Sequence, residues 1–235
     1  MKRRLSIFLL AACTAWAAPA SAQWQGQAGL GVVRATGNTD SESFSGVLEL
    51  GLESGRYKHN LSGELFKAST DGAESADRLA LGYKLDRSFG ERLYAWGSMR
   101  RDEDRFANID ARTTLGAGLG YKVLSGPVHE LNLEAGGGRS QIRYLDATPS
   151  EHSAVGLLAL NYVGRLNEQV TLGQRLGAES GAANTLYTST SSLKVKMSDA
   201  FSLGLSHAIR FNSDIVGALG KKRDAVTTVN LIYGF

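Results

Sequence analysis

Charged side chains alternate with aliphatic ones along much of this chain, and acidic and basic residues share the same face. If that face lines a water-containing interior, it can pass or bind small solutes; if ion pairs fill it, it locks the interior shut. The sequence leaves both interpretations open, and the mixed signs argue against strong selectivity for anions or cations. The candidate interior residues are Glu49, Glu53, Glu64, Arg78, Lys84, Asp86, Lys122, Glu134, Arg175, Glu179, Lys194 and Arg210.

Hydrolytic chemistry has little support in the sequence. A serine hydrolase needs a serine, a histidine and an orienting polar residue close together. None of the four histidines lies in a serine-hydrolase motif, and the chain contains no Gly-x-Ser-x-Gly segment. His207 shares the parity of the apolar residues around it, so we expect it at a lipid-facing edge. We therefore predict no enzymatic activity.

Metal-binding patterns are equally sparse, because no His-x-x-x-His segment occurs and the only cysteine is Cys13. The group Asp102-Glu103-Asp104, with Asp110 nearby, has carboxylates that can hold a divalent cation bridging lipopolysaccharide phosphates. Arginines flank this group, which favours an ion-paired rim or direct contact between arginine and lipid phosphate. We predict no metal site and no cofactor.

Extended strands must position these side chains, since apolar residues recur at every second position. Phe201, Leu203 and Leu205 share one face of their segment, for example, and Ser202 and Gly204 share the other. No apolar run after residue 22 approaches the length of a membrane-spanning helix. The predicted strands are 24–36, 42–54, 57–69, 76–88, 92–106, 110–124, 128–144, 151–166, 169–180, 184–197, 201–213 and 223–235.

The connections between these strands differ in length, and this difference predicts the topology. The even-numbered connections are tight, whereas the odd-numbered ones tend to be longer or looser, including Thr70 to Ser75 and Asp214 to Lys222. Short turns on one side and longer loops on the other are typical of outer-membrane barrels. We therefore predict an all-β, antiparallel, up-and-down transmembrane barrel of about twelve strands. A soluble β-sandwich or lipocalin-like barrel is the alternative fold, because it would also alternate.

Aromatic residues concentrate toward the predicted strand ends. We interpret them as two girdles where a barrel crosses the two lipid–water interfaces, although strands are also enriched in aromatic residues for other reasons. The girdle on the short-turn side comprises Tyr57, Phe89, Tyr94, Tyr121, Tyr162, Phe201, Tyr233 and Phe235, and the girdle on the loop side comprises Phe66, Phe106, Tyr144, Tyr187 and Phe211.

The final segment combines this alternation with a terminal aromatic ring. Leu231, Tyr233 and Phe235 share one face of the last predicted strand. A terminal Phe after alternating apolar residues resembles the recognition signal of bacterial outer-membrane barrels. We expect these three residues to be the assembly signal read by the barrel-insertion machinery.

The first residues, 1–22, are typical of a secretory signal peptide. A basic start precedes a short apolar core, and Ala20 and Ala22 form a small-x-small cleavage site. The alternative is a lipidated Cys13, because Leu10-Ala11-Ala12-Cys13 resembles a lipobox. Three of the 26 basic residues lie in this segment, so its removal leaves 23 basic against 23 acidic residues in the barrel domain, 23–235. Nucleic-acid binding thereby loses its main support.

Several segments together resemble the YdiY-like family, described as salt-induced outer-membrane proteins and classed as a domain of unknown function. They are Gly37-Asn38-Thr39-Asp40-Ser41, the segment from Phe44 to Leu50, Tyr83-Lys84-Leu85-Asp86, the glycine-alternating stretch from Gly116 to Tyr121, and Tyr233-Gly234-Phe235. The resemblance covers essentially all of the predicted barrel domain. It implies a barrel in the bacterial outer membrane and no established activity, so it assigns no catalytic residue.

These observations predict an outer-membrane barrel that acts as a narrow channel or small-solute binder linked to salt or osmotic stress. A structural envelope barrel without transport is the alternative, and an outer-membrane enzyme is less favoured. The expected partners are outer-membrane lipid and lipopolysaccharide together with the insertion machinery. The sequence does not identify the solute.

Overall fold

The computed structural model describes residues 23–35, 40–182, 184–214 and 222–235. The predicted signal peptide, with Cys13, Ala20 and Ala22, lies outside these residues, as do parts of the first and last predicted loops. The strands are β1 (Gln23–Ala35), β2 (Ser41–Ser54), β3 (Tyr57–Thr70), β4 (Ala73–Ser88), β5 (Leu93–Asp104), β6 (Ile109–Ser125), β7 (His129–Tyr144), β8 (Glu151–Arg165), β9 (Val170–Ser180), β10 (Thr185–Lys196), β11 (Phe201–Asn212) and β12 (Arg223–Gly234).

The twelve strands form one closed antiparallel barrel in which each strand pairs with the next and β1 pairs with β12. The predicted fold class is therefore confirmed, and every strand boundary agrees with the prediction to within three residues. A β-sandwich is excluded because one continuous sheet closes on itself. The described residues contain no helix of the length and apolar character needed to cross a membrane.

Aliphatic residues cover the outside of the barrel, because successive side chains of a strand point to opposite faces. Leu203 and Leu205 of β11 are 45% and 43% exposed, and Leu231 of β12 is 50% exposed. The buried residues, in contrast, include polar and charged ones such as Asp102 and Arg112. The barrel thus has an apolar exterior and a polar interior, which is the reverse of a water-soluble protein.

The connections divide the barrel into two ends, called here the turn end and the loop end. The turn end carries the connections that follow β2, β4, β6, β8 and β10, together with the end of β12; the loop end carries the other connections. One loop prediction was wrong, since β3 and β4 are joined by a tight turn of Asp71 and Gly72, both with positive φ. Positive φ at two central residues matches the right-handed twist of a hairpin, and Asp-Gly supplies it readily.

Three residues assigned to the aromatic girdles face the interior, so the girdle prediction was wrong for them. Tyr94 is buried and donates a hydrogen bond to Glu134, and Tyr144 is also buried. Phe66 lies opposite Ser45 in the β2–β3 register, on the interior face. The positions of these residues near strand ends were predicted correctly, but the side of the sheet was not.

The seam between β1 and β12 is much shorter than the other strand pairings. Its register covers four residue pairs, from Gln27 to Leu30, whereas every other adjacent pair of strands shares ten to fifteen. At the turn end, Phe235 extends the seam by exchanging two backbone hydrogen bonds with Gly26, at 2.8 and 2.9 Å. The register therefore joins the two strands only in the half of the barrel nearer the turn end.

A side-chain contact reinforces this seam from inside. Ser45 of β2 donates a 2.6 Å hydrogen bond to Asn230 of β12, and both residues are buried. The contact passes over Gly31 of β1, where an added Cβ would lie 2.6 Å from both side-chain oxygens. Glycine at this position thus allows β12 to be tied to β2 across β1.

Candidate functional site

The backbone register places all twelve candidate interior residues on the face opposite the exposed aliphatic side chains. They do not form one site but spread over the height of the interior. By strand, they are Glu49 and Glu53 on β2, Glu64 on β3, Arg78, Lys84 and Asp86 on β4, Lys122 on β6, Glu134 on β7, Arg175 and Glu179 on β9, Lys194 on β10 and Arg210 on β11.

An ion-paired bridge crosses the interior near the loop end. Asp102 of β5 accepts two hydrogen bonds from Arg100, at 2.9 and 3.0 Å, and one of 3.3 Å from Arg210 of β11. Strands β5 and β11 lie six places apart in a ring of twelve, so they are on opposite walls. Their direct contact divides the cross-section of the interior at this level.

A second bridge lies nearer the turn end. Arg175 of β9 donates a 2.7 Å hydrogen bond to Glu49 of β2, five strands away around the ring. Gln27 also donates to Glu49, and Lys194 donates to Gln27 at 3.4 Å. The Arg175 side chain remains 61% exposed although it points inward, so open space surrounds this bridge.

A compact cluster occupies the wall formed by β4 to β7 at the turn end. Lys84 donates to Glu134 at 2.5 Å and lies 3.0 Å from Asp86, and Tyr94 donates to the same Glu134 oxygen at 2.7 Å. The ammonium group of Lys84 also lies 5.5 Å from the centre of the Tyr94 ring. This network fixes several polar side chains against one wall and leaves the opposite wall to the Glu49 bridge.

Glycines on β6 and β7 make room for a large aromatic side chain inside the barrel. Trp96 is buried against this wall and donates a 3.2 Å hydrogen bond from Nε1 to the carbonyl of Leu119. An added Cβ at Gly118 or Gly136 would lie 2.8 or 2.7 Å from the indole ring. The glycine alternation seen in the sequence thus allows Trp96 to pack flat against the wall.

A cavity of about 360 Å³ lies inside the barrel at the loop end of β6 to β10. Arg112 of β6 lines it and is only 5% exposed, and its Nε atom has no hydrogen-bond partner among the described residues. The rest of the lining mixes acidic, hydroxyl and apolar side chains, including Ser140, Glu151, Ser153, Val155, Glu179 and Leu186.

The loop that follows β7 is held by hydrogen bonds to one carboxylate. Asp146 accepts a 3.0 Å hydrogen bond from the backbone of Thr148 and one of 2.8 Å from the side chain of Asn108. Hydrogen bonds from Thr148, and then from Asn108, lower the pKa of the Asp146 carboxyl because they favour its charged form. The loops after β5 and β7 are thereby joined.

Sequence reasoning placed the acidic group at residues 102–104 on an external rim, and this was wrong for Asp102. Its outward neighbour Glu103 does pair with an arginine, Arg101, at 2.8 Å. Asp102 itself faces inward and forms the loop-end bridge, and Arg112 and Trp96 also escaped notice. The clear alternation of β6 was a usable signal, since Leu115 and Leu119 lie outside and Arg112 has the opposite parity.

Polar side chains also occur on the outer face of β9 to β12. Gln174 exchanges hydrogen bonds with Ser189 and Ser191, and His207 contacts Thr227 at 2.8 Å. His207 therefore lies on the exposed face, and Ser191 donates its hydroxyl hydrogen to Gln174 rather than to a histidine. No group of three or more potential metal ligands occurs among the residues that the structure describes.

Comparison with known proteins gives a family match over nearly the whole barrel. A family model described as "Protein of unknown function, DUF481" matches residues 28–235. The chain is also 27% identical to the uncharacterized protein YdiY of Escherichia coli strain K12 over 217 residues, which cover 92% of this chain and 85% of that protein.

Solved structures with a similar fold are barrels of the outer-membrane type. The translocator domain of the autotransporter NalP from Neisseria meningitidis matches with a TM-score of 0.51 at 14% identity, covering 91% of this chain and 87% of that one. The NanC porin matches with a TM-score of 0.51 at 8% identity, covering 88% and 97%. These similarities concern the fold alone.

Proposed function

The chain belongs to the DUF481 family of proteins of unknown function, and we propose that it is an outer-membrane protein whose barrel interior forms a narrow channel for small solutes. The observation that carries this proposal is the bridge between Asp102 and Arg210, which join opposite walls of the barrel. A solute must pass beside this bridge, so only small molecules or ions fit.

The open space around the Glu49 bridge supports passage of small solutes through the barrel rather than complete closure of its interior. Arg175 is largely exposed within the interior, whereas the side chains of Asp102 and Arg210 are 7% and 13% exposed. Asp102 and Arg210 are therefore packed more closely than Arg175, and we infer that the level of the Asp102 bridge is the constriction. Because both signs of charge line the path, we expect weak ion selectivity.

A structural barrel without transport is the second candidate. Two sets of contacts favour this alternative, namely the cluster of Lys84, Glu134 and Tyr94 and the Asp102 bridge. Both link side chains from strands that are not neighbours in the ring. In this alternative the ion pairs stabilise the closed ring and no solute crosses it.

Single-channel recording in planar lipid bilayers distinguishes the two candidates. We expect small, reproducible conductance steps from the wild-type barrel and larger steps from Arg210→Ala, because truncation opens the narrowest level. Asp102 keeps its partner Arg100 in this variant, so no buried carboxylate is left unpaired. The matched control is Arg139→Ala, which removes an exposed arginine from the outer face of β7.

The control should conduct like the wild type. Folding of each sample is checked by heat-modifiable gel migration before recording. Absence of steps from both folded wild type and Arg210→Ala would refute the channel and leave the structural barrel. Equal conductance of wild type and Arg210→Ala would show that the Asp102 bridge is not the constriction.

Cellular location and partners form part of the same proposal. The exposed aliphatic exterior supports insertion into a bilayer, where outer-membrane lipid and lipopolysaccharide would surround the barrel. Leu231, Tyr233 and Phe235 lie on the outer face at the seam, accessible to insertion machinery during assembly. From the sequence patterns we also propose that residues 1–22 are a secretory signal peptide, that the protein is linked to salt stress and that it is not an enzyme.

A further inference from the structure

Arg112 is a buried cation without an ionic partner among the described residues. A buried guanidinium normally forms an ion pair or several hydrogen bonds, because burying an uncompensated charge is costly. Arg210, another arginine in this end of the interior, satisfies that rule by pairing with Asp102. Among the described residues Arg112 makes no such contact, and its buried Nε atom has no hydrogen-bond acceptor there.

The carboxylate nearest to Arg112 in the strand register is already paired with other arginines. Asp102 lies directly opposite Arg112 in the β5–β6 pairing. Both Asp102 oxygens are already occupied by Arg100, and one of them also by Arg210. The guanidinium is therefore left free to meet a ligand.

The cavity beside Arg112 has the size and lining of a small-molecule site. Its volume of about 360 Å³ falls in the range of roughly 300–1,000 Å³ found for ligand pockets. Ser140 and Ser153 bring hydroxyl groups, and Val155 and Leu186 bring apolar surface. All four project from strand backbones, so the site is rigid at its base.

Two carboxylates line the same cavity. Glu179 accepts a hydrogen bond from the Thr114 hydroxyl, at 3.2 and 3.3 Å to its two oxygens, and Glu151 is the first residue of β8. Neither carboxylate forms an ion pair among the described residues. Arg100 is close enough to Glu179 to interact with it electrostatically but forms no salt bridge with it. Among the described residues, the cavity therefore presents one cation and two carboxylates that form no salt bridge.

We propose that this cavity binds a small zwitterion, with the carboxylate of the ligand on Arg112 and its ammonium group directed at Glu179 and Glu151. An α-amino acid or a short ω-amino acid has this chemistry. A guanidinium binds a carboxylate through two parallel hydrogen bonds, and ammonium–carboxylate contacts are similarly charge-assisted. Neutral sugars would leave Arg112 unpaired, and simple anions would leave the two glutamates unpaired.

This inference deepens the proposed channel by naming the class of solute at the loop end of its path. Binding at equilibrium does not require conduction, however, so the two proposals fail separately. A folded barrel that binds zwitterions but shows no conductance would refute the channel and keep the site. A conducting barrel that binds no zwitterion would do the opposite.

Isothermal titration calorimetry on the detergent-folded barrel at low ionic strength tests the site. The probes are glycine and 4-aminobutanoate, which differ in the separation of their charges, with acetate and methylammonium as fragments bearing one charge each. We expect at least one zwitterion to bind about tenfold more tightly than either fragment, since it makes both charge-assisted contacts.

Substitutions then assign the contacts. Arg112→Gln should weaken binding of the zwitterion by about tenfold or more, and the matched control Arg139→Gln, on the outer face of the neighbouring strand, should bind like the wild type. Glu179→Gln keeps the side-chain shape and should weaken binding of the zwitterion while strengthening binding of acetate. This variant also tests the site if Arg112→Gln does not fold.

Two results would overturn the proposal. One is that neither zwitterion binds more tightly than acetate and methylammonium. The other is that a folded Arg112→Gln or Glu179→Gln variant binds the zwitterion as tightly as the wild type does.

Discussion

At the scale of single residues, Asp102 is the acceptor on which the loop-end bridge depends. It takes three hydrogen bonds from two arginines on opposite walls. Removing one partner of a buried ion pair leaves the other charge uncompensated, which costs more than the pair contributes when intact. We therefore expect this position to be more sensitive to substitution than the exposed Glu103 beside it.

Asp102→Asn should destabilise the barrel strongly, because it removes the counter-charge of the buried Arg210. We expect the free energy of unfolding to fall by about 3–5 kcal/mol. Reversible urea unfolding in detergent, followed by tryptophan fluorescence, measures this change. Glu103→Gln is the matched control, since Glu103 is the next residue and pairs with Arg101 on the exposed face.

The control should change the free energy of unfolding by less than about 1 kcal/mol, as exposed pairs contribute little. Equal effects of Asp102→Asn and Glu103→Gln would contradict the account of the bridge.

Sequence patterns allowed the interior residues to be predicted where alternation is regular, but not how those residues pair. Glu49 and Arg175 were assigned to one face from parity alone. Their contact depends on which strands face each other across the closed ring, and parity carries no information on that. Arg112 was not predicted, although the clear alternation of β6 gives it the parity of the interior face.

At the scale of strands, β6 and β7 form a wall whose glycines fit Trp96. Gly118 and Gly136 face each other in the register, so the backbone and the indole ring occupy the space that a side chain would need. A Cβ at Gly118 would also lie 2.6 Å from the Gly136 Cα atom. Overpacking of this kind is destabilising because the paired backbones of β6 and β7 cannot move apart without losing their hydrogen bonds.

Gly118→Ala should therefore lower the free energy of unfolding by about 1–3 kcal/mol, measured by urea unfolding as above. The matched control is Gly97→Ala on β5, where an added Cβ would meet no atom within 4 Å. That substitution should be neutral or stabilise the barrel by up to about 1 kcal/mol, since alanine restricts the unfolded chain. A Gly118→Ala variant as stable as Gly97→Ala would argue against close packing of Trp96.

The strands were predictable because period-two alternation and short turn segments delimit them locally. Turn lengths were less predictable, as Asp71-Gly72 shows: the strands on either side continue further than their apolar residues do. Tyr94 was assigned to the wrong face because β5 lacks a regular apolar pattern and ends in the run 100–105 of charged residues.

At the scale of the whole molecule, polar and apolar side chains are arranged in the reverse of their arrangement in a water-soluble protein. Aliphatic side chains form the outer surface, and ion pairs and hydrogen bonds fill the inside, including contacts between strands far apart in the ring. The sequence indicated this inversion through alternation combined with alternating connection lengths. It contained no signal for the short seam of four residue pairs, because the register of the first and last strands depends on how the ring closes.

The most direct test of the inverted arrangement is site-directed spin labelling along β11 in lipid vesicles. The barrel domain has no cysteine after residue 22, so single cysteines can be placed at Leu203, Gly204, Leu205 and Ser206. We predict that labels at 203 and 205 collide preferentially with oxygen, which concentrates in hydrocarbon, and that labels at 204 and 206 do not. Uniform oxygen accessibility along the strand, or the opposite alternation, would contradict the account.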